Sequence, residues 1–301
     1  MNITVEPLTF AWWNTSLSPP TLRKVRRASD EEKQIAIKVI YCLLLDFAID
    51  FLALGEISKD DVTLLRSLDG LEGYRIESGV SQSGKVIFDT CFIYRPDRLQ
   101  ISTPIDIDYA RGGKRMKIAQ KIGVQLIDGT WFYLLVSHWQ SRRYCPESDA
   151  DRHLLGIRLR DAVDDIIDNS ESAPYIILLG DYNDEPFDVP LSRQLMATRD
   201  KAWVIKQRKK QLLYNPFWRH LSYPNLQALD YAGTYYYKKG STTKWHTFDQ
   251  IMVSSAFLGE IGWALNEAST GIIDIPGYLQ MVKNKSIFDH LPVIATFARK
   301  P

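Results

Sequence analysis

Apolar residues fall along the chain in short runs broken by polar turns, with longer stretches at helical spacing between them. The most continuous run is Tyr175–Gly180, directly after Pro174. It predicts a short strand buried on both faces. Asp181 and Asn183 follow it at once. Further strands are predicted at Thr9–Trp13, Phe51–Leu54, Val86–Tyr94, Gly123–Ile127, Trp131–Ser137, Thr234–Tyr237, Phe248–Val253, Gly262–Asn266 and Leu291–Phe297. Ser29 and Glu32 have the spacing of a capping box and open a helix whose apolar face is Ile35, Val39, Ile40, Leu43, Leu44 and Phe47. Ser148 is placed to cap a second helix with Leu155, Leu159, Ala162, Val163, Ile166 and Ile167 on its inner face. Ser58–Leu68, Phe187–Ala197 and Gln207–Leu221 also read as helical. Asp106–Lys117, carrying Arg111, Gly112, Gly113, Lys114, Arg115 and Lys117, reads as an exposed basic loop.

Strands and helices mix along the whole length, with no internal repeat, low-complexity tract or linker, so residues 1–301 are read as one α/β-type domain. Net charge is +1, so no global field draws the protein to nucleic acid or anionic lipid, and local basic clusters must do so. Such clusters are Arg23–Arg27, Arg111–Lys117, Arg142–Arg143, Lys206–Lys210 and Lys238–Lys244. The three cysteines, Cys42, Cys91 and Cys145, form no zinc or disulfide pattern, and Cys42 and Cys91 lie in apolar runs expected in the core. No stretch approaches the ~20 apolar residues of a bilayer crossing, and no basic-then-apolar leader opens the chain. A reducing, cytoplasmic setting is expected.

Polar residues recur just past the ends of the apolar runs. Asn14 follows Phe10–Trp13, Glu56 follows Phe51–Leu54, and His138 follows Phe132–Ser137. Asp249 opens Phe248–Val253, and Asp289 and His290 precede Leu291–Phe297. Strands packed side by side bring such ends to one rim. Any one of these residues alone would be an ordinary turn or cap residue; the ordered set is what points to chemistry.

The chain resembles the endonuclease/exonuclease/phosphatase superfamily through WNTSL (Trp13–Leu17), LGEIS (Leu54–Ser58), SHWQSR (Ser137–Arg142), GDYNDEP (Gly180–Pro186), TFDQIMVS (Thr247–Ser254) and DHLPV (Asp289–Val293), in that order. The resemblance implies an α+β fold, a four-layer αββα sandwich of two packed, mostly antiparallel sheets flanked by helices. It implies hydrolysis of phosphate esters with Mg²⁺, Mn²⁺ being a possible substitute. An all-oxygen donor set suits a hard cation, and no Cys/His set here suits zinc. The implied metal ligands are Glu56, Asp289 and Asn14. Asp181 orients or deprotonates the attacking water, and Asn183 holds water or a phosphoryl oxygen. His290, held in one tautomer by Asp249, lies against the phosphate, and His138 donates to it. Asp181 and His290 both stand as candidates for the base. Arg142, Arg115 and Trp245 are candidate phosphate contacts.

Two departures bear on substrate: Gly55 precedes the glutamate where relatives carry a polar residue, and Gln140 stands where many bacterial relatives carry lysine. The expected substrate is nucleic acid, DNA or RNA, cut by an endo- or exonuclease. The alternatives are a small phosphate ester (a nucleotide, inositol phosphate or phospholipid head group) and a family member that binds nucleic acid without cutting it.

Overall fold

Alternation within the strands builds the layers. In the Leu8–Asn14 strand, Phe10 and Trp12 pack into one cluster and Ala11 and Trp13 into another, all four without exposed surface. Successive side chains of a strand leave opposite faces, so one strand serves two cores. The Tyr175–Asp181 strand does the same: Ile177 and Leu179 face the Phe10 cluster, while Ile176 and Leu178 face a third. The computed structural model describes residues 6–20, 27–223, 231–284 and 286–300, with the side chain of Arg208 left aside. The basic positions Arg23, Lys24 and Arg26 lie outside the described residues.

One sheet runs, in spatial order, Gly262–Ile272, Val293–Lys300, Leu8–Asn14, Phe51–Gly55, Cys91–Tyr94, Arg75–Ser78. The other runs Ala197–Thr198, Leu213–Tyr214, Asp249–Val253, Tyr175–Asp181, Trp131–His138, Lys114–Leu126, Leu99–Ile101, with Ile105–Arg111 also paired to Lys114–Leu126. Most pairs are antiparallel; the Leu8–Asn14 and Phe51–Gly55 strands run parallel, as do Trp131–His138 with Tyr175–Asp181 and the short Ala197–Thr198 with Leu213–Tyr214. The sheets meet through Phe10, Phe51, Phe92, Phe132, Ile177, Ile251 and Phe297. The helix Asp30–Tyr41, opened by the Ser29–Glu32 capping box, and the helices Lys59–Arg66 and Tyr278–Lys283 cover the outside of the first sheet. Ala150–Asp168 covers the outside of the second. The layers are those of the four-layer αββα sandwich. Among the described residues no helix is long and apolar enough to cross a membrane.

Several elements differ from the expectation, each for a local reason. Val86–Tyr94 is two strands, Val86–Phe88 and Cys91–Tyr94, because Asp89 and Thr90 turn their side chains into buried polar bonds between them. Asp106–Lys117 is a hairpin: Lys114–Leu126 extends the Gly123–Ile127 strand backward and pairs with Ile105–Arg111 across Gly112 and Gly113, both at positive φ. The second long helix is capped by Asp149, not Ser148. Phe187–Ala197 keeps a single helical turn, Pro190–Gln194. Gln207–Leu221 breaks into the turns Arg208–Lys210 and Pro216–His220 around a short strand, Leu213–Tyr214, that pairs with the Asp249–Val253 strand. Pro216 begins its turn at a position where a missing N–H costs nothing. Cys42 is half-buried where a core position was expected, whereas Cys91 is fully buried.

Candidate active site

Parallel pairing levels the strand ends. His138 sits opposite Asp181, and Asn14 opposite Gly55, the residue before Glu56. Asp181 in turn stands opposite Asp249 on the antiparallel neighbour. A methyl carbon added at Gly180 would lie 1.8 Å from the Ser137 carbonyl oxygen, so only glycine lets the Tyr175–Asp181 strand approach its neighbour closely enough.

The eight strand-end residues gather in one recess. Asp181 is at its centre: one carboxylate oxygen accepts from the Asn14 amide at 3.2 Å, the other from the Asn183 backbone N–H at 2.9 Å. The Nε2 atoms of His138 and His290 stand 3.9 and 3.8 Å from the same Asp181 oxygen. Glu56 Oε1 lies 3.9 Å from His138 Nε2, and Asp289 Oδ1 lies 3.8 Å from His290 Nε2. Ser16 donates its hydroxyl to Asp289 at 3.0 Å. Glu56, Asn183 and Ser16 all hold left-handed backbone, with φ of 56°, 51° and 55°. Such strain persists only where neighbours over-determine it. For Glu56 they are Asp89, accepting its N–H at 3.2 Å, and Ser18, whose N–H reaches its carbonyl at 2.7 Å.

Each imidazole is backed by a carboxylate. His290 Nδ1 is 2.7 Å from Asp249, whose other oxygen accepts the Trp12 indole N–H at 2.8 Å. Both Asp249 oxygens are engaged, one by the Trp12 indole and one by His290, so the His290 ring is held with Nδ1 turned to the carboxylate and Nε2 turned to Asp181. Burial would lower the His290 pKa, but Asp249 and Asp181 outweigh it and raise it to about 10. His138 Nδ1 is 2.8 Å from Asp89, which also takes the buried Lys117 ammonium. Burial works against ionising Asp89; His138 and Lys117 prevail and hold it well below the usual carboxylate range. Burial also acts on Glu56, and with Asp289 and Asp89 nearby its carboxyl rises to about 7.

Asp89 and Lys117 escaped the sequence reading, the first as a break in an apolar run, the second inside an apparently solvated basic loop. A pair of polar residues within an otherwise apolar strand was the available signal.

Arg142 is committed to protein: it donates to the Asn183 carbonyl at 2.9 Å, pairs with Asp188 and with Glu147 at 3.2 Å, and lies over Phe248. Arg115 is held by Asp108 at 2.5 Å and Ser83 at 2.9 Å. Trp245 belongs to a two-stranded ladder, Tyr235–Tyr236 with Trp245–His246, and packs on Tyr236 with ring centres 4.9 Å apart, on the side of that ladder facing the outer core. Arg115 and Trp245 are not brought among the eight, and Arg142 touches them only at the Asn183 carbonyl.

The residues fit a hard divalent cation. The carboxylates of Glu56 and Asp289 border the recess, the Asn14 oxygen beside them accepts the Ser16 N–H at 3.1 Å, and the Glu56 carboxyl, raised first by burial and then by Asp289 and Asp89, is one whose ionised form a cation would favour. Asp181, Asp249 and His290 also bring ligand-type atoms within 4.8 Å of one another. Their hydrogen bonds to Trp12, Asn14 and each other make that trio better suited to orienting protons.

Residues 46–276 match the Endonuclease/Exonuclease/phosphatase family. Among solved structures the chain is similar to truncated TDP2 of Caenorhabditis elegans, with 17% identity over 97% of this chain and 98% of that one and a TM-score of 0.61. It is also similar to the human Nocturnin catalytic domain, with 16% identity over 99% and 97% of the two chains and a TM-score of 0.59. A third likeness is to a mannosyl-6-phosphatase of Bacteroides thetaiotaomicron, with 15% identity over 97% and 99% and a TM-score of 0.57. At these identities the likenesses establish the fold. No curated protein matches the chain. With the matched residues spanning most of its length and the sandwich in place, the chain belongs to the endonuclease/exonuclease/phosphatase family of phosphoesterases.

Proposed function

We propose that the protein is a Mg²⁺-dependent phosphodiesterase that acts on nucleic acid by in-line attack of water. The observation that carries this reading is the meeting of His138 Nε2, His290 Nε2 and Asn14 around one oxygen of Asp181, with Glu56 and Asp289 on either side. Glu56, Asp289 and Asn14 would hold the cation, which supplies Lewis-acid stabilisation of the developing charge.

The chain's own groups do the rest. Three carboxylates surround His290, from Asp249, Asp181 and Asp289, and favour a proton on both its nitrogens. An imidazolium cannot take a proton, so Asp181 is assigned the water and His290 a phosphoryl oxygen. His138 donates from the other side. Asn183, turned inward by its left-handed backbone, bonds its amide N–H to the Trp139 carbonyl at 3.2 Å, which leaves its amide oxygen free to accept from water.

A second reading, a small phosphate ester as substrate, is favoured by the commitment of Arg142 and Arg115 to carboxylates, which removes two expected grips on a polynucleotide backbone. The test is a panel of single- and double-stranded DNA, RNA, nucleotides, sugar and inositol phosphates and bis(p-nitrophenyl) phosphate. Each is run with Mg²⁺, with chelator and with His290→Ala. Polynucleotide cleavage that needs both the metal and His290 supports the first reading. Metal-dependent turnover confined to small esters replaces it with the second. No turnover on any substrate overturns both.

A further inference from the structure

A third carboxylate–histidine pair lies outside the reaction centre. His246 Nδ1 is 2.9 Å from one oxygen of Glu185, and the Thr247 N–H donates to the other at 2.9 Å. Glu185 is buried, with one oxygen turned to the ring and the other accepting from Thr247, so it fixes the imidazole with Nδ1 inward and Nε2 outward. An imidazole that donates from Nδ1 accepts at Nε2, and none of the described residues bonds to His246 Nε2. The ring is not packed away: its side chain keeps 18% of its surface exposed.

A short aromatic path joins this acceptor to the centre. His246 and Tyr235 are cross-strand partners, so their side chains share a face of the two-stranded ladder. Their ring centres are 6.2 Å apart, and Tyr235 lies 4.6 Å from the His290 ring. Phe248 lies nearly parallel to both, at 5.3 Å from Tyr235 and 4.8 Å from His246. Tyr237 continues the row at 6.4 Å from Tyr235 and is exposed. The cations here are engaged within the protein: Asp188, which accepts the Glu185 N–H at 2.7 Å, pairs with Arg142, and Arg142 and Arg152 each lie 3.6 Å from Asp184. Neither arginine is left to hold a second phosphate, whereas a hydroxyl is suited to an acceptor beside an apolar face.

Building on the phosphoesterase reading, we propose that Glu185 and His246 form a hydroxyl-reading subsite. His246 Nε2 accepts a hydrogen bond from a hydroxyl of the sugar that carries the reacting phosphate, and the C–H face of that sugar lies against Tyr235. A pentose of a nucleotide and a hexose phosphate share this chemistry.

The test is NMR titration of protein carrying ¹⁵N-labelled histidine, in Mg²⁺, with non-hydrolysable methylene-phosphonate analogues of ribose 5-phosphate, 2-deoxyribose 5-phosphate and glucose 6-phosphate. Propylphosphonate, which has no hydroxyl, is the reference. The expected result is a shift of the His246 Nε2 signal with at least one sugar ligand and not with propylphosphonate, and about tenfold tighter binding of that sugar ligand. The sugar giving the largest shift identifies the source. His246→Asn, which keeps a donor towards Glu185 but has no atom at the position of Nε2, removes the preference; His246→Phe, which keeps the stacked ring, does the same. Shifts at His138 and His290 with His246 silent would overturn this subsite and leave the phosphoesterase reading standing. Silence at all three histidines would overturn both.

Discussion

Asp89 lies 2.8 Å from His138 Nδ1 and accepts the Glu56 backbone N–H at 3.2 Å, so one carboxylate sets both a proposed phosphate donor and a proposed metal ligand. It also neutralises Lys117, which is buried with it. Asp89→Asn should lower kcat by about 10²-fold or more, the range for losing a positioned acid–base group. It should cost roughly 3–5 kcal/mol of stability, because a buried ammonium loses its partner. Adding Lys117→Met removes that charge and should restore much of the stability but none of the activity. Recovery of both in the double variant would mean that Asp89 serves only Lys117.

Trp12 reaches across from the first sheet to Asp249, at 2.8 Å, and through it fixes His290. Trp12→Phe keeps a six-membered ring, removes the donor and leaves a small cavity at a fully buried position. The expected cost is the roughly 1.5–3 kcal/mol of a hydrogen bond to a charged group plus that of the cavity, with kcat reduced and KM little changed. An unaltered kcat would show that the Asp249 carboxylate needs no such anchor. Gly55 is tied to the same residue: a methyl carbon there would lie 2.6 Å from the indole, so Gly55→Ala should lower stability and activity together.

What the sequence made legible follows from strand geometry. Asn14, Glu56, His138, Asp181, Asp249, Asp289 and His290 stand at strand ends, and leveled strands carry strand ends to one rim; the local pattern was enough. Asp89 and Lys117 were not legible as a pair because their meeting depends on Lys114–Leu126 running back past the expected loop into the sheet. The break-up of Gln207–Leu221 has the same origin: Leu213 and Tyr214 are claimed by sheet pairing, a tertiary contact that local helical spacing cannot register. Arg142 looked like a phosphate ligand because its acidic partners Asp188 and Glu147 come from other turns.

The state of His290 gives a pH dependence to stability. Its pKa is raised from 6.5 to about 10 in the folded, metal-free protein. A raised histidine contributes stability that is fully present below the unfolded value and is lost as pH rises through the folded one. In EDTA, urea unfolding between pH 6 and pH 10 should therefore reveal a larger loss of stability for the wild type than for His290→Asn. Equal losses would mean that the imidazolium is not favoured by folding.

Arg142 should act through Asn183 and not through phosphate. Arg142→Ala frees the Asn183 carbonyl and leaves Asp188 without its cation. The expected change is a fall in kcat of about tenfold with KM within about twofold, the signature of lost transition-state positioning. A raised KM at unchanged kcat would return Arg142 to the role of a phosphate grip.

The central claim is that Glu56 and Asp289, far apart in the chain, share one divalent cation. Mn²⁺ binding followed by electron paramagnetic resonance tests it without any substrate. The wild type should bind the ion, and Glu56→Gln and Asp289→Asn should each weaken binding at least tenfold, with the double variant showing no specific site. Wild-type affinity retained in both single variants would contradict the account.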